Sequence, residues 1–292
     1  RPDHAPPGRR PPPNPMREAA AATSVPVLAP ERVNDPEAVA AVAGLAPDLF
    51  VVCDYGQILS AALLAVPRLG GINLHGSLLP RHRGAAPIQW AILEGDAVTG
   101  VSVIHMTPAL DAGNVIAARP LPIGPHDTAA DLEPRLAAVG AEGVVEAIER
   151  LAAAAAAGAR AAEIGVPQDA TRATRAPRLT KQDGIVDWSQ PAARIERQRR
   201  ALEPWPRATT FFTRGDGVRQ RLVLADVEIV SHPRATAAVP GEVLDTAEGR
   251  IVVACGAGTA LAITQVVPEG RRSMSAADFL RGSPLLPGMR LG

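Results

Sequence analysis

Three short apolar runs, each ended by polar residues or glycine, limit the folds available to this chain more than any other feature of its sequence. They are DLFVVCDYG (48–56), GGINLHG (70–76) and TGVSVIHMT (99–107). Runs of this length that stop abruptly are typical of buried parallel strands. PIQWAILEGD (87–96) between the last two predicts a helix, so strands and helices alternate. The sequence therefore predicts a doubly wound, Rossmann-like α/β sheet, in which ligands bind at the carboxyl ends of strands.

Further helices are predicted from their first residues. NPMREAAAAT (14–23) and DPEAVAAVAGLAPD (35–48) each place a capping residue, Asn14 or Asp35, before a proline at the first helical position. A longer helical pattern covers residues 126–158, with Thr128 as its cap. Pro134 interrupts that pattern, so we expect this helix to kink there or to begin only afterwards.

The second half of the chain has a different pattern. Residues 164–178 contain proline, threonine and arginine without periodicity, which indicates a linker. After a helix at about 190–202, turn signals separate a series of short β runs, and a helix at 274–282 follows them. Short strands at this spacing predict a small β-barrel. The β runs are 208–214, 218–230, 241–246, 249–256 and 259–267.

The charges of the 292-residue chain cancel, with 30 basic and 30 acidic residues. This balance excludes a uniformly basic nucleic-acid binder and leaves only segregated charge as a means of binding a polyanion. Residues 31–163 carry 8 Lys and Arg against 15 Asp and Glu, whereas residues 172–200 carry 8 against 3. The second stretch is either a polyanion-binding surface or a solvated linker and helix face.

Several other functional classes find no support. Cys53 and Cys255 are far apart, which indicates neither a disulfide framework nor a thiolate metal site and fits a cytoplasmic protein. No apolar run approaches the ~20 residues of a membrane helix. There is no nucleotide-binding glycine motif and no nucleophile elbow around Ser77. The remaining histidines lack metal-ligand spacing and are expected to be surface or packed residues: His4, His82, His105, His126 and His232.

Polar side chains at two strand ends suggest chemistry. Asn73 and His75 are two apart on a strand and therefore share a face, where together they can donate two hydrogen bonds to an oxyanion. Asp111, on a tight turn after the next strand, would support the charged form of a nearby imidazole and help to move a proton. Each also has a plain structural reading: a backbone-satisfied strand end for Asn73 or His75, and an Asx turn for Asp111. Ser77 caps backbone or contacts a ligand.

Residues 70–116 resemble the 10-formyltetrahydrofolate-dependent formyltransferases. The resemblance consists of N-x-H on a strand, S-L-L-P-x-x-R-G-A-A-P after it, L-D-x-G after the next strand, and YGQIL at 55–59. It implies Asn73, His75 and Asp111 as catalytic residues. It also implies that the formyl donor contacts a short segment made of Ser77, Leu78, Leu79 and Pro80.

The segments 183–192, 200–208 and 269–282 resemble the C-terminal barrel of family members that act on tRNA. The implied reaction transfers the formyl group of 10-formyltetrahydrofolate to the α-amino group of initiator methionyl-tRNA, without a metal. We expect a catalytic domain at 1–163, a linker at 164–178 and an OB-like tRNA-binding domain at 179–292 in a cytoplasmic monomer. The expected tRNA contacts are Arg9, Arg10, Arg172, Arg175, Arg178 and Lys181.

Two departures from the family stand out. The family's first strand, its G-T-P-E-F-like loop, a helix and the second strand are not found before the proline-rich start, so we expect a truncated catalytic domain. Asp54 adds an acid beside Tyr55. Two alternatives remain open: a formyltransferase for a small amine, such as a nucleotide or an amino sugar, and an inactive RNA-binding remnant.

Overall fold

The computed structural model describes residues 15–215 and 217–292. In the N-terminal half, four strands form one sheet in the order β1-β2-β3-β4, and β1 pairs with β2 in parallel. This sheet and its helices confirm the α/β class. The strands are β1 (Phe50–Cys53), β2 (Gly71–His75), β3 (Val98–His105) and β4 (Val115–Pro122); the helices are α1 (Pro15–Ala21), α2 (Pro36–Ala43), α3 (Ala61–Leu64), α4 (Pro87–Glu94) and α5 (Ala129–Ala156).

The C-terminal half contains an antiparallel sheet, as expected for the second domain. Its strands follow the order β5-β6-β9-β8-β7, with β10 paired to β9. The long strand β6 shifts register against β9 around Asp226, a bulge of the kind that bends strongly coiled sheets. The elements are α6 (Ala192–Ala201), β5 (Thr209–Thr213), β6 (Arg219–Val230), β7 (Val243–Asp245), β8 (Ile251–Cys255), β9 (Thr259–Pro268), β10 (Met274–Ser275) and α7 (Ala276–Gly282).

Apolar side chains from these elements form separate cores. Ile72, Val103 and Ile116 pack with Ala147 and Leu151 of α5 beneath the first sheet. The larger core of the C-terminal half joins Trp188, α6, the β6–β9 pair and Phe279 of α7. The Trp188 indole donates a hydrogen bond to Thr210 Oγ1 at 3.0 Å, which satisfies its one polar side-chain atom inside that core.

The described residues group into two compact units. The first contains residues 15–75, 103–117 and 143–168; the second contains residues 76–102, 118–142, 169–215 and 217–292. This grouping cuts through β3, β4 and α5 and does not follow one point along the chain. The boundaries at 163/164 and 178/179 therefore stay a prediction.

One expectation about local structure was wrong, and a second was wrong in part. Strand β1 is parallel, but it is not buried: alternate residues are exposed, and 47% of Val51 is accessible, so one face of the strand is uncovered. Helix α5 does not begin only after Pro134, and the alternative, a kink at Pro134, stays a prediction. The helix begins at Ala129, since Thr128 and Asp131 cap each other's backbone N–H groups and offset the hydrogen bond that the proline cannot donate.

The segment 164–178 is partly ordered by backbone pairing. Val166 exchanges two hydrogen bonds with Val115, each 2.9 Å long. Further along, Thr174 accepts a hydrogen bond from the Arg83 N–H, and Ala176 donates one to the Arg83 carbonyl group. The assignment of 164–178 as a linker stays a prediction.

Candidate active site

Strand β2 presents the first two candidate residues. Asn73 pairs with Val52 of β1 and is half-buried, while His75 is 5% exposed at the end of the strand. Their two-residue spacing on a strand places both side chains on one face of the sheet. The Asn73 amide makes no side-chain hydrogen bond to any residue within 15–215 or 217–292. Its N–H groups are therefore able to donate to a bound oxygen.

Asp111 lies beside His75. Its Oδ2 is 3.7 Å from His75 Nδ1, and the two side chains are only 9% and 6% exposed. At this distance the carboxylate interacts electrostatically with the ring, and burial weakens the screening of that interaction by water. The structure therefore brings together the imidazole and carboxyl groups that the sequence predicted to be neighbours.

The loop that carries Asp111 is held tightly at both ends. Met106 donates its N–H to the Gly71 carbonyl oxygen at 2.8 Å, and His105 donates to the Asn114 carbonyl at 3.1 Å. Asp111 itself has a φ of 49°, in the left-handed region that disfavours residues with a side chain. A held conformation of this kind fixes the direction in which the Asp111 carboxylate points.

Gln168 contacts the Asp111 loop, although the sequence did not point to it. Its Nε2 donates to the carbonyl oxygens of both Asp111 and Gly113, each at 2.8 Å. No motif in the chain marks an isolated glutamine as a loop clamp. Gln168 follows Val166 by two residues, and Val166 pairs with Val115 at the end of the Asp111 loop. That pairing is visible only in the fold, so no signal in the sequence pointed to Gln168.

Hydrogen bonds hold the S-L-L-P segment (77–80) at both its first and its third residue. The fully buried Ser77 hydroxyl donates to the Arg81 carbonyl at 2.6 Å. The Ser102 hydroxyl in turn donates to the Ser77 carbonyl and accepts from the Leu79 N–H. Ser77 thus has the backbone-capping role of its two expected alternatives, and Leu78, Leu79 and Pro80 are half-buried. Contact of this segment with folate stays a prediction.

A hydrogen-bonded cluster of His82, Asp96 and Arg81 follows this segment. His82 is 3% exposed, and its Nε2 lies 2.7 Å from Asp96, which also accepts a hydrogen bond from Arg81 at 2.5 Å. His105 is also packed: its Nε2 lies 3.1 Å from the Ile164 carbonyl, and burial lowers the pKa of its ring. Both histidines are packed residues, as expected; His4 lies outside the described residues.

No cluster of three or more metal-binding side chains occurs in the described parts of the chain. Among the same residues, none of the helices combines the length and apolar character needed to cross a membrane. The free thiols are Cys53, which is exposed, and Cys255, which is buried.

Two family models match the chain. The formyl transferase model covers residues 3–148, and the formyl transferase C-terminal domain model covers residues 178–284. This chain belongs to the formyl transferase family. In this family member, the N-terminal match contains Asn73, His75 and Asp111, which therefore lie in the part of the chain that carries the family's name.

Curated relatives are similar to the chain over most of its length. The formyl transferase chain is 43% identical over 282 residues to methionyl-tRNA formyltransferase of Rhodopirellula baltica, covering 96% of this chain and 83% of that protein. It is 46% identical over 265 residues to methionyl-tRNA formyltransferase of Anaeromyxobacter sp. (strain K), covering 90% and 80%.

Solved structures share the fold at low identity. HypX from Aquifex aeolicus, in complex with tetrahydrofolic acid, matches with a TM-score of 0.56 and 20% identity over 84% of this chain and 41% of that one. WlaRD, a sugar 3N-formyl transferase, matches with a TM-score of 0.57 and 14% identity over 88% and 82%. These matches confirm the formyl transferase fold.

The basic residues that sequence analysis selected are solvent-facing where the structure describes them. Arg172, Arg175, Arg178 and Lys181 recur every third residue, are all exposed and form no ion pair with a described residue. Between Asp169 and Asp183 the chain has no acidic residue. Arg9 and Arg10 lie outside the described residues.

The YGQIL motif has a structural role. Gln57 accepts a hydrogen bond from the Val33 N–H at 3.0 Å and donates one to the Glu31 carbonyl at 3.2 Å. The motif's glutamine therefore ties two loops together. Beside it, the exposed Asp54 has a φ of 44°, and burial raises the pKa of the Tyr55 hydroxyl.

Proposed function

We propose that this protein transfers the formyl group of 10-formyltetrahydrofolate to the α-amino group of initiator methionyl-tRNA and so produces N-formylmethionyl-tRNA. The observation that carries the proposal is the buried His75–Asp111 pair, 3.7 Å apart, at the end of the strand that also presents Asn73. The names of the curated relatives support the choice of methionyl-tRNA as acceptor.

The reaction needs a nitrogen–carbon bond to form before another breaks. The amine attacks the formyl carbon, the carbonyl electrons move onto the oxygen, and a tetrahedral oxyanion results. Collapse of that intermediate breaks the bond from the formyl carbon to N10 of the folate. The amine loses one proton overall and the departing N10 gains one, so the step balances without an external acid.

Each of the three side chains has a part in this scheme. The unengaged Asn73 amide and the protonated His75 ring donate hydrogen bonds to the oxyanion as its charge develops. Asp111 favours the imidazolium and assists the proton transfer from the attacking nitrogen. Their burial excludes water, and this strengthens each of these interactions.

The tRNA is held by charge in this proposal. The four exposed basic residues between 172 and 181 have no acidic residue among them in the sequence, so they are available for phosphate oxygens. Arg9 and Arg10 are proposed to contact the acceptor end of the tRNA, by family resemblance. Ser77, Leu78, Leu79 and Pro80 are proposed to line the folate site. A monomer in the cytoplasm stays a prediction, and size-exclusion chromatography with light scattering measures the oligomeric state.

The test compares acceptors directly. Purified protein is supplied with 10-formyltetrahydrofolate carrying a labelled formyl group and with either charged initiator methionyl-tRNA or a nucleotide-linked amino sugar. We expect label in the tRNA and none in the sugar, with His75→Asn as the inactive control. Label in the amino sugar alone would establish the small-amine alternative. Binding of tRNA without any transfer would establish the RNA-binding remnant.

A further inference from the structure

We propose that Gln168 is a positioning residue for the reaction: it clamps the loop that carries Asp111 and so keeps the Asp111 carboxylate beside His75. This inference rests on the proposed function, because it gives Gln168 importance only through Asp111. It concerns a side chain that the proposed mechanism does not otherwise use.

The clamp consists of two hydrogen bonds from one amide group. Gln168 Nε2 donates to the Asp111 carbonyl oxygen and to the Gly113 carbonyl oxygen, both at 2.8 Å. An amide nitrogen carries two N–H groups, and these two acceptors use both of them. The bonds therefore fix the backbone on either side of Ala112 relative to one side chain.

The loop needs such support because its conformation is unfavourable on its own. Asp111 has a φ of 49°, a positive value that costs free energy for residues with a Cβ, although Asp adopts it more readily than most. Strained backbone at a candidate catalytic residue persists when neighbouring groups hold it. If the two bonds were lost, the backbone at residue 111 could relax toward negative φ and carry the carboxylate away from His75.

Gln168 is itself fixed by the sheet. Val166, two residues earlier, both donates to and accepts from the backbone of Val115, at 2.9 Å in each direction. Val115 begins β4, which follows directly after the Asp111 loop. The clamp thus connects the Asp111 loop to the backbone pair formed by Val115 and Val166.

The chain provides a matched control. Gln198 Nε2 also donates to two carbonyl oxygens, those of Asp183 and Ile185, at 2.7 and 3.2 Å. Gln198 lies on α6, and neither of its acceptors belongs to the candidate active site. Gln168→Ala therefore removes two hydrogen bonds from an amide group to the Asp111 loop, and Gln198→Ala removes two of the same kind away from the candidate active site.

The experiment measures kcat, the KM for each substrate and the melting temperature of both variants. We expect a small decrease in melting temperature in both variants, since each loses two hydrogen bonds from an amide to carbonyl groups. Only Gln168→Ala should lose kcat, on the order of 10²-fold, because a misplacement of about 1 Å at a reacting group has that effect. Its KM values should stay within about twofold. Gln168→Met, which keeps the side-chain length without donors, should behave in the same way and serves if the alanine variant folds poorly.

A double-mutant cycle separates positioning from a general structural role. Adding Gln168→Ala to Asp111→Asn should reduce kcat by less than about threefold further, because the clamp acts through a group that is already lost. Equal kcat in Gln168→Ala and Gln198→Ala would overturn the inference, and so would independent, multiplying losses. Wild-type kcat in Asp111→Asn alone is a different outcome, which would overturn the proposed role of Asp111 itself.

Discussion

The backbone of Gly113 passes the carbonyl group of His105 so closely that a Cβ atom on residue 113 would lie 1.9 Å from the His105 oxygen. Backbone atoms cannot give way as a flexible side chain can. This contact places the end of β3 against the last residues of the loop that carries Asp111. Only glycine fits this crossing, which explains the glycine two residues after Asp111.

Gly113→Ala should therefore shift the loop and displace Asp111. We expect a loss of stability of about 1–3 kcal/mol from overpacking, together with a decrease in kcat. Thermal melting and steady-state kinetics measure the two effects. Gly282→Ala is the control, because a Cβ at Gly282 would meet no atom within 4 Å. Unchanged kcat in a folded Gly113→Ala variant would contradict this account of the loop.

The basic residues between 172 and 181 give a prediction about salt. Replacing Arg172 and Arg175 together with alanine should raise the KM for methionyl-tRNA and lower the slope of log affinity against log salt by about 1 for each phosphate group that is no longer neutralised. Filter-binding or anisotropy titrations at several salt concentrations measure this slope. The control is Arg68→Ala with Arg160→Ala, which removes the same charge from exposed residues that are paired with Asp48 and Glu163. Equal slopes for the two double variants would argue against the proposed tRNA contact.

Asp127 makes stability depend on pH. A hydrogen bond from the Gly124 N–H, followed by one from Arg135, lowers the pKa of this carboxyl group in the folded protein. A lowered folded pKa means that the carboxylate stabilises the fold above its ordinary pKa and that this contribution is lost as the pH falls. Asp127→Asn should cost about 1 kcal/mol at pH 7.

The melting-temperature gap between wild type and Asp127→Asn should close as the pH falls below about 4. Asp35→Asn serves as the control, because the Asp35 side chain makes no capping hydrogen bond to α2. A gap that persists unchanged at low pH would show that Asp127 acts through packing and not through its charge.

The two thiols should react very differently. Burial raises the pKa of Cys255 in the C-terminal core to about 12, whereas Cys53 is exposed. Partial burial and the neighbouring Asp54 also raise the pKa of the Cys53 thiol, so its labelling rate should increase steadily as the pH rises. Labelling with a thiol reagent should modify Cys53 in the native protein and Cys255 only after unfolding. Rapid native labelling of a Cys53→Ser variant would contradict the packing described for Cys255.

Local signals predicted many of the elements. The prolines at positions 15, 36 and 87 each begin a helix, because a proline suits the first helical turn, where its missing N–H is not needed. The polar residues after the apolar runs marked the ends of β2 and β3. The likeness of residues 70–116 to formyltransferases selected His75 and Asp111, which the fold then brings within 3.7 Å.

Other features depended on tertiary structure and could not be predicted locally. Strand β4 was missed because its sequence contains Pro120 and Pro122, which oppose central strands but are accepted in a strand that ends a sheet. The left-handed conformation of Asp111 and the clamp by Gln168 arise only when residues distant in sequence meet. The cap formed by Thr128 was predicted, but its ability to start α5 ahead of Pro134 was not.

The most direct test of the central claim is the single-turnover rate of formyl transfer in Asn73→Ala, His75→Asn, Asp111→Asn and the His75→Asn/Asp111→Asn double variant. Loss of one oxyanion donor should slow the chemical step by about 10²- to 10³-fold in Asn73→Ala and His75→Asn. The double variant should be scarcely slower than His75→Asn, because His75 and Asp111 act as a pair. Wild-type rates in the folded Asn73 and His75 variants would contradict the account.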